Sequence, residues 1–450
     1  MTKESEKRNY AVSMVLPDDR IVEVVYSREQ EKTRLAVFDG KEVRYEDNIE
    51  VNGKTFEPYP ATKKLISKQV VLLPEEALEY TDNVSLIKDI QEFIHSYLDI
   101  SPIFEKIATY YVLFSWVFDG FNELPYLRVA GDYGSGKSRF LKVIGSICYK
   151  PMFTSGATTV SPVFRTIDAF KGTLILDEAD FKLSDTTAEI VKILNSGYQK
   201  GNPVLRCEGK DGNYDVQSFD VFCPKIIATR KKFDDIALES RCLTEELEKK
   251  TLRKDIPINI PASFEKQALE LRNKLLMWRF QNLKNVRIKI DDVEKDIEPR
   301  LAQIISPLLS IIDDESVKTD IRNMAKAYNQ EFIEDKYMSF DAEIVGAILE
   351  CLEDSLGEPT IKAIADKYNQ PHTDRDKILP RKMGSIIRRL KLKPRRTNQG
   401  YILSGIENKD RLEVLKKRYG YDDVVEPVNE VKDVNVEGQG TTDNDIRLPF

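Results

Sequence analysis

The chain has 450 residues, of which 41% are hydrophobic and 32% are charged, and its formal net charge is −7. This composition is typical of a folded protein with room for two or three domains, and the negative charge argues against a protein covered in nucleic acid. There is no uninterrupted run of about 18 apolar residues and no apolar signal core in MTKESEKRNY, so we expect no membrane span and a cytoplasmic location. Five dispersed cysteines without a CxxC pair, together with two histidines, argue against a zinc site.

The first part of the chain is expected to form a small β-rich domain, residues 1–83, followed by a helical connector, residues 84–120. Alternating segments such as RIVEVVYS and RLAVFDG indicate strands in this domain. Within the connector, YYVLFSWVF is explained better as buried core than as a surface on which nucleic-acid bases stack.

The segment GDYGSGKS, residues 131–138, fits the phosphate-binding loop G-x-x-x-x-G-K-[ST]. It follows a short predicted strand, residues 126–130, and precedes a predicted helix, which is the context that this loop requires. The glycines allow backbone N–H groups to face phosphate oxygens. We expect Lys137 to reach the β- and γ-phosphates of ATP and Ser138 to hold Mg²⁺. The residues predicted to bind the nucleotide are Gly131, Gly134, Ser135, Gly136, Lys137, Ser138 and Arg139.

An acidic motif, TLILDEAD, follows at residues 173–180. Its apolar half predicts a buried parallel strand, after which Asp177 is expected to hold Mg²⁺ and Glu178 to activate the attacking water. The letters DEAD also name a family of RNA helicases, but Lys137 and Asp177 are too close in sequence for that family. No SAT tripeptide follows, and neither histidine lies in a histidine–arginine motif.

Three further polar residues follow at element ends. PKIIATR, residues 224–230, is an apolar strand that ends near Thr229; DIALESRC, residues 235–242, contains Arg241; and Arg300 begins the helical segment DIEPRLAQIISPLLSII. In this order, residues 100–315 resemble an AAA+ ATPase, whose core is a doubly wound parallel α/β sheet with a helical lid. The resemblance implies that Thr229 is a sensor residue, that Arg300 is a second sensor, and that Arg241 is an arginine finger for a neighbour's ATP. It therefore also implies self-association in a ring, with a hexamer expected.

The segment NPVLRCEGKDGNYDVQSF, residues 202–219, predicts two short strands around a turn. Its position is similar to that of the hairpin in minichromosome-maintenance and superfamily-3 helicases, and this resemblance implies that Lys210 at the tip contacts the DNA backbone. The alternative is an ordinary solvated lysine on a surface turn. Arg206 is a second, weaker candidate.

The C-terminal region predicts three helices and a strand–turn–strand, which resemble a winged helix. Residues 371–400 carry ten Lys or Arg and two Asp, a local charge of +8 in an acidic chain. The residues expected to contact DNA are Arg381, Lys382, Arg388, Arg389, Arg395 and Arg396. Docking to a protein is the alternative use of this region. The acidic segment at residues 422–445 is expected to be a disordered tail.

The predicted domains are therefore 1–83 (β-rich), 84–120 (connector), 121–250 (ATPase core), 251–335 (helical lid), 336–405 (winged helix) and 406–450 (helix and tail). The arrangement resembles the replicative DNA helicases of bacterial mobile elements and phages, with ATP and Mg²⁺ as cofactors and single-stranded or forked DNA as partner. Two alternatives remain: a DNA-bound initiator or helicase loader that uses ATP as a switch, and a protein remodeller.

Overall fold

The computed structural model describes residues 8–155, 158–177, 179, 185–210, 213–233, 235–248, 252–289, 294–337, 339–355, 358–373, 377–398 and 400–421. The chain forms two compact units that divide between Asn329 and Gln330. None of the helices in these described ranges is long and apolar enough to cross a membrane.

The first unit begins with seven strands, β1 (Asn9–Ala11), β2 (Ser13–Val15), β3 (Ile21–Ser27), β4 (Lys32–Phe38), β5 (Val43–Glu46), β6 (Ile49–Val51) and β7 (Lys54–Pro58). They form an antiparallel sheet, β2-β3-β4-β5, and a second sheet, β1-β7-β6. Both faces of β3 are covered, because Val25 packs into the large core of the unit while Val22 packs into a smaller cluster. The β-rich region therefore shares part of its core with the rest of this unit.

Three helices follow, α1 (Lys64–Ser67), α2 (Asn83–Tyr97) and α3 (Pro102–Val117). The side chain of Asp82 caps α2 by accepting a hydrogen bond from the Ser85 amide, and Ser101 caps α3 in the same way. Tyr111 and Trp116 of α3 are fully buried, which confirms that YYVLFSWVF is core.

The region predicted as the ATPase core contains β8 (Tyr126–Ala130), α4 (Lys137–Ile147), β9 (Met152–Thr154), α5 (Val160–Phe170), β10 (Leu174–Leu176), α6 (Asp185–Ser196), β11 (Val204–Lys210), β12 (Asn213–Phe219), β13 (Lys225–Thr229), α7 (Ile236–Glu239) and β14 (Cys242–Glu246). Five of these strands form an all-parallel sheet in the order β14-β8-β13-β10-β9. The predicted α/β parallel sheet is confirmed. Because parallel strands end at the same edge, the segments after β8, β10 and β13 meet there.

The first unit continues with α8 (Ser263–Asn282) and α9 (Pro299–Ser310), and α10 (Glu315–Tyr337) extends from it into the second unit. Helix α8 contacts α3 and α4, and its buried Leu275 joins the same core as Leu308 of α9. These helices occupy the range predicted as a lid.

The second unit contains α11 (Phe340–Asp354), α12 (Ile361–Asn369), α13 (Pro380–Arg389), β15 (Arg395–Thr397), β16 (Gly400–Ile402) and α14 (Lys409–Tyr419). Ser339 and Thr360 cap α11 and α12 through their side chains. Strands β15 and β16 pair antiparallel, and the helices enclose a hydrophobic core of their own. The predicted acidic tail lies outside the described residues.

Candidate nucleotide site and nucleic-acid interface

The glycine loop connects β8 to α4 and has little room for side chains. A Cβ atom on Gly131 would lie 2.4 Å from the carbonyl oxygen of Leu247, so this position requires glycine. Gly136 precedes α4 with φ of 99°, a conformation that other residues rarely adopt. Helix α4 therefore begins directly after the loop, and the free backbone amides of its N-terminus favour binding of an anion there.

Two side chains of the loop, those of Lys137 and Ser138, make hydrogen bonds in the described structure. Lys137 Nζ donates to the carbonyl oxygens of Gly131 at 2.6 Å and Asp132 at 2.8 Å, which holds the ammonium over the loop. Ser138 Oγ donates to Asp177 Oδ2 at 2.8 Å. A hydroxyl and a carboxylate are oxygen ligands that Mg²⁺ accepts, so this pair fits the ion. Glu178 lies outside the described residues.

Two buried hydroxyls near the loop have no hydrogen-bond partner within the described structure, Ser135 Oγ and Thr229 Oγ1. Thr229 ends β13 and pairs in register with Ala130, the last residue before the loop. A buried polar group without a partner is costly, and a bound phosphate or its attacking water would supply one. The residues at this edge therefore fit a nucleoside triphosphate.

Arg139 was predicted to bind the nucleotide, but its side chain is occupied elsewhere. Its guanidinium donates to the carbonyl oxygen of Pro257 at 2.7 Å and to that of Ile258. The side chain thus holds the segment after β14 against α4, and this placement argues against a phosphate contact through the guanidinium.

Arg241 and Arg300 lie at the opposite edge of the sheet from the glycine loop. Arg241 directly precedes β14, whose first residue pairs with Tyr126 and whose last pairs with Ala130. This five-residue strand spans about 16 Å. Neither Arg241 nor a residue beside it therefore reaches the phosphates of an ATP bound at the glycine loop of the same chain. Arg300 is at the same edge, because its Nη1 lies 3.3 Å from Ser240 Oγ.

The side chain of Arg241 points into its own chain. It is 5% exposed, its guanidinium lies 4.0 Å from the ring of Tyr198, and its Nη1 donates to Asn195 Oδ1 at 2.6 Å. An arginine finger must be free to enter a neighbour's site. The burial of Arg241 therefore argues against the role that the resemblance implied.

We expect Arg241→Ala to destabilise the folded protein. Loss of the ring contact and of charged hydrogen bonds should lower the free energy of unfolding by about 2–4 kcal/mol, with ATP hydrolysis per folded molecule retained. Urea unfolding and a steady-state ATPase assay measure the two effects. The finger role would instead give normal stability, lost hydrolysis, and recovery when the variant is mixed with Lys137→Ala subunits that carry an intact Arg241.

The predicted hairpin is present. Strands β11 and β12 pair antiparallel, with Lys210 opposite Asn213, so Lys210 is the last residue of the first strand; its side chain lies outside the described part of the chain. Arg206 faces the protein, with its guanidinium 5.3 Å from the ring of Phe164 and 3.2 Å from a Glu189 oxygen. It anchors the hairpin and is a poor candidate for a DNA contact.

The six basic residues predicted to contact DNA are all exposed, but they divide into two groups. Arg389 forms an ion pair with Asp341, and Arg395 pairs with Glu358 at 2.6 Å. In the described structure, no carboxylate pairs with the other four, which are Arg381, Lys382, Arg388 and Arg396. The second group is the one whose charge remains available to a phosphate backbone.

Two cavities beside the nucleotide site were not anticipated. One, of about 530 Å³, opens beside Ser138 and Asp177, and its walls include Phe153 and Phe264. The other, of about 130 Å³, adjoins Ser135, and the acidic residues that line it are Asp99, Glu245, Glu246 and Glu248. Their walls come from segments far apart in sequence, so no local motif signals them.

Comparisons with known proteins give only distant likenesses. No protein-family model matches this sequence, and no curated protein matches it. Among solved structures, the apo NrS-1 C-terminal region is 11% identical, with a TM-score of 0.39, and 85% of this chain and 95% of that one are covered. The SCCmec type IV Cch active helicase is 9% identical with a TM-score of 0.40, covering 90% and 80%. JCV helicase is 13% identical with a TM-score of 0.24, covering 56% and 62%. These likenesses are too distant to assign a function, which must come from the site itself.

Proposed function

We propose that this chain is an AAA+-type ATPase that uses ATP and Mg²⁺ to move along DNA, as a helicase or translocase in the replication of a mobile element or phage. The observation that carries the proposal is the contact between Ser138 and Asp177 at 2.8 Å, beside a glycine loop that opens a helix. Two motifs that were recognised independently in the sequence meet at one edge of a parallel sheet.

The order of strands supports the same conclusion. Strand β13, which ends in Thr229, lies between β8, which leads into the glycine loop, and β10, which leads to Asp177. This is the position from which a sensor residue reaches the γ-phosphate. In the reaction, Lys137 binds the β- and γ-phosphates, Ser138 and Asp177 hold Mg²⁺, and Thr229 orients the attacking water that Glu178 activates.

Self-association is part of this proposal. An arginine near the γ-phosphate stabilises the charge that develops during phosphoryl transfer. Since Arg300 lies at the far edge of the sheet and is half-buried, it serves a neighbouring subunit's ATP better than its own. We propose a ring, with six subunits as the expected number, in which the hairpin bearing Lys210 lines a channel for DNA.

The second unit is proposed to be a winged helix that binds DNA. Arg381 and Lys382 lie in the first turn of α13, Arg388 lies in its last turn, and Arg396 lies on β15, so the four exposed charges belong to the third helix and the hairpin. Binding through phosphate contacts should weaken steeply as salt rises.

Strand displacement on a forked DNA tests the function. We expect the wild type to unwind it with ATP, Lys137→Ala to be inactive, and Lys210→Ala to hydrolyse ATP without unwinding, because the backbone contact is lost. Lys54→Ala is a matched control, since Lys54 also adjoins a hairpin turn, between β6 and β7.

If the wild type binds DNA and hydrolyses ATP but never unwinds, an initiator or helicase loader is the better conclusion. DNA affinity that does not depend on salt would favour a protein remodeller.

A further inference from the structure

Tyr401 lies on the outer face of the β15–β16 hairpin with 46% of its surface exposed. Successive side chains of a strand point to opposite faces, and the next residue, Ile402, is buried. The hairpin is tied to the start of α12, because the Leu403 amide donates to the Pro359 carbonyl at 2.9 Å. The ring is therefore held outward by an anchored strand.

Two arginines flank this ring. The guanidinium carbon of Arg388 lies 5.5 Å from the ring centroid, within cation–π distance, and Arg396 is the cross-strand partner of Tyr401. Neither arginine pairs with a carboxylate anywhere in the described ranges, whereas Arg389 and Arg395 do. The structure thus leaves two uncompensated charges next to one exposed aromatic ring.

We propose that Tyr401 stacks on an unpaired DNA base, while Arg388 and Arg396 hold the phosphates on either side of it. This proposal rests on the proposed DNA-binding function and deepens it. It assigns the hairpin to single-stranded DNA or to the junction of a fork, and it gives the second unit a contact that the basic residues alone do not provide.

The chemistry favours an unpaired base over a duplex. In a duplex the faces of the bases are covered by their neighbours, so an exposed ring meets only edges, sugars and phosphates. An unpaired base offers its whole face, and one such stack changes affinity by about 5- to 140-fold. The flanking arginines supply backbone contacts that are independent of sequence.

The first test compares Tyr401→Leu with Tyr401→Phe, which keeps the ring. We expect Tyr401→Leu to weaken binding to single-stranded and forked DNA by about 10-fold and binding to blunt duplex by less than about twofold, with Tyr401→Phe close to wild type. Ile406→Ala is the control, because Ile406 is an exposed apolar residue of the same unit. Equal losses on all three DNAs would mean that Tyr401 only supports the hairpin, and no loss would also overturn the stacking proposal. If the wild type binds none of these DNAs, the proposed function fails as well.

A second variant keeps an aromatic ring and reports the contact directly. The chain's two tryptophans, Trp116 and Trp278, are 0% and 6% exposed, so Tyr401→Trp introduces an indole with a distinct environment. We expect single-stranded DNA to quench the added fluorescence and to shield it from acrylamide, and blunt duplex to do neither. An unchanged signal on bound single-stranded DNA would exclude stacking.

Discussion

Lys137→Ala is expected to lower the rate of ATP hydrolysis by about 100- to 1,000-fold, which is the usual cost of removing one charged donor from a transition state. In the structure, the Lys137 ammonium contacts only two carbonyl oxygens of its own loop among the described partners, those of Gly131 and Asp132. These contacts lie at a partly exposed site, so their loss should change the free energy of unfolding by no more than about 1 kcal/mol. Steady-state hydrolysis and a urea unfolding curve measure the two quantities separately.

A matched control for this variant is Lys192→Ala, which removes an exposed lysine from α6 in the same unit. It should leave both hydrolysis and stability unchanged. If Lys137→Ala hydrolyses ATP at the control's rate, the loop at residues 131–138 is not the catalytic site, and the proposed function has no chemical basis.

The geometry of the candidate nucleotide site was predictable because most of its parts are local. A glycine loop needs a strand before it and a helix after it, and the sequence around Lys137 predicts both. Asp177 and Thr229 then follow from one rule, that parallel strands end at the same edge. The structure brings these residues to that edge, where Ser138 Oγ donates to Asp177 Oδ2 and the Thr229 hydroxyl has no hydrogen-bond partner in the described structure.

The environment of Arg241 was not predictable. Its burial depends on Asn195 and Tyr198, which precede it by more than forty positions and reach it only through the packing of α6. The pairing of Arg389 and Arg395 with acidic residues more than thirty positions away is of the same kind. A charge run in sequence gives the total charge but not which members are neutralised, since pairing is decided by the tertiary fold.

A buried ionic network is the largest feature that sequence patterns missed. Glu23, on the apolar strand β3, lies 2.6 Å from Lys150 and 2.7 Å from Arg279, and all three side chains are 1% exposed. Tyr149 and Ser13 donate further hydrogen bonds to the same carboxylate. The partners are up to 256 positions apart, so no local pattern connects them. This network joins strand β3 to the segment after α4 and to helix α8.

Glu23→Gln is therefore expected to lower the free energy of unfolding by about 3–5 kcal/mol, because it leaves the buried Lys150 without its carboxylate partner and leaves the buried Arg279 with Asp119 alone. Trp116 lies 5.3 Å from the ring of Tyr149, so tryptophan fluorescence during urea unfolding reports this part of the core. Glu57→Gln is the matched control: Glu57 pairs with Arg8 at the surface, and its loss should cost less than about 1 kcal/mol.

The same network predicts a dependence on pH. Burial alone would raise the pKa of Glu23, but Lys150 and Arg279 outweigh it, so that pKa lies below its ordinary value of 4.5. A carboxyl whose pKa is lower in the folded state stabilises the fold above the unfolded value and loses that contribution as pH falls through the folded value. The difference in stability between wild type and Glu23→Gln should thus shrink as the pH falls below 4.5. If the stability difference between wild type and Glu23→Gln stays the same in acid, the packing of the Glu23 side chain, and not its charge, stabilises the fold.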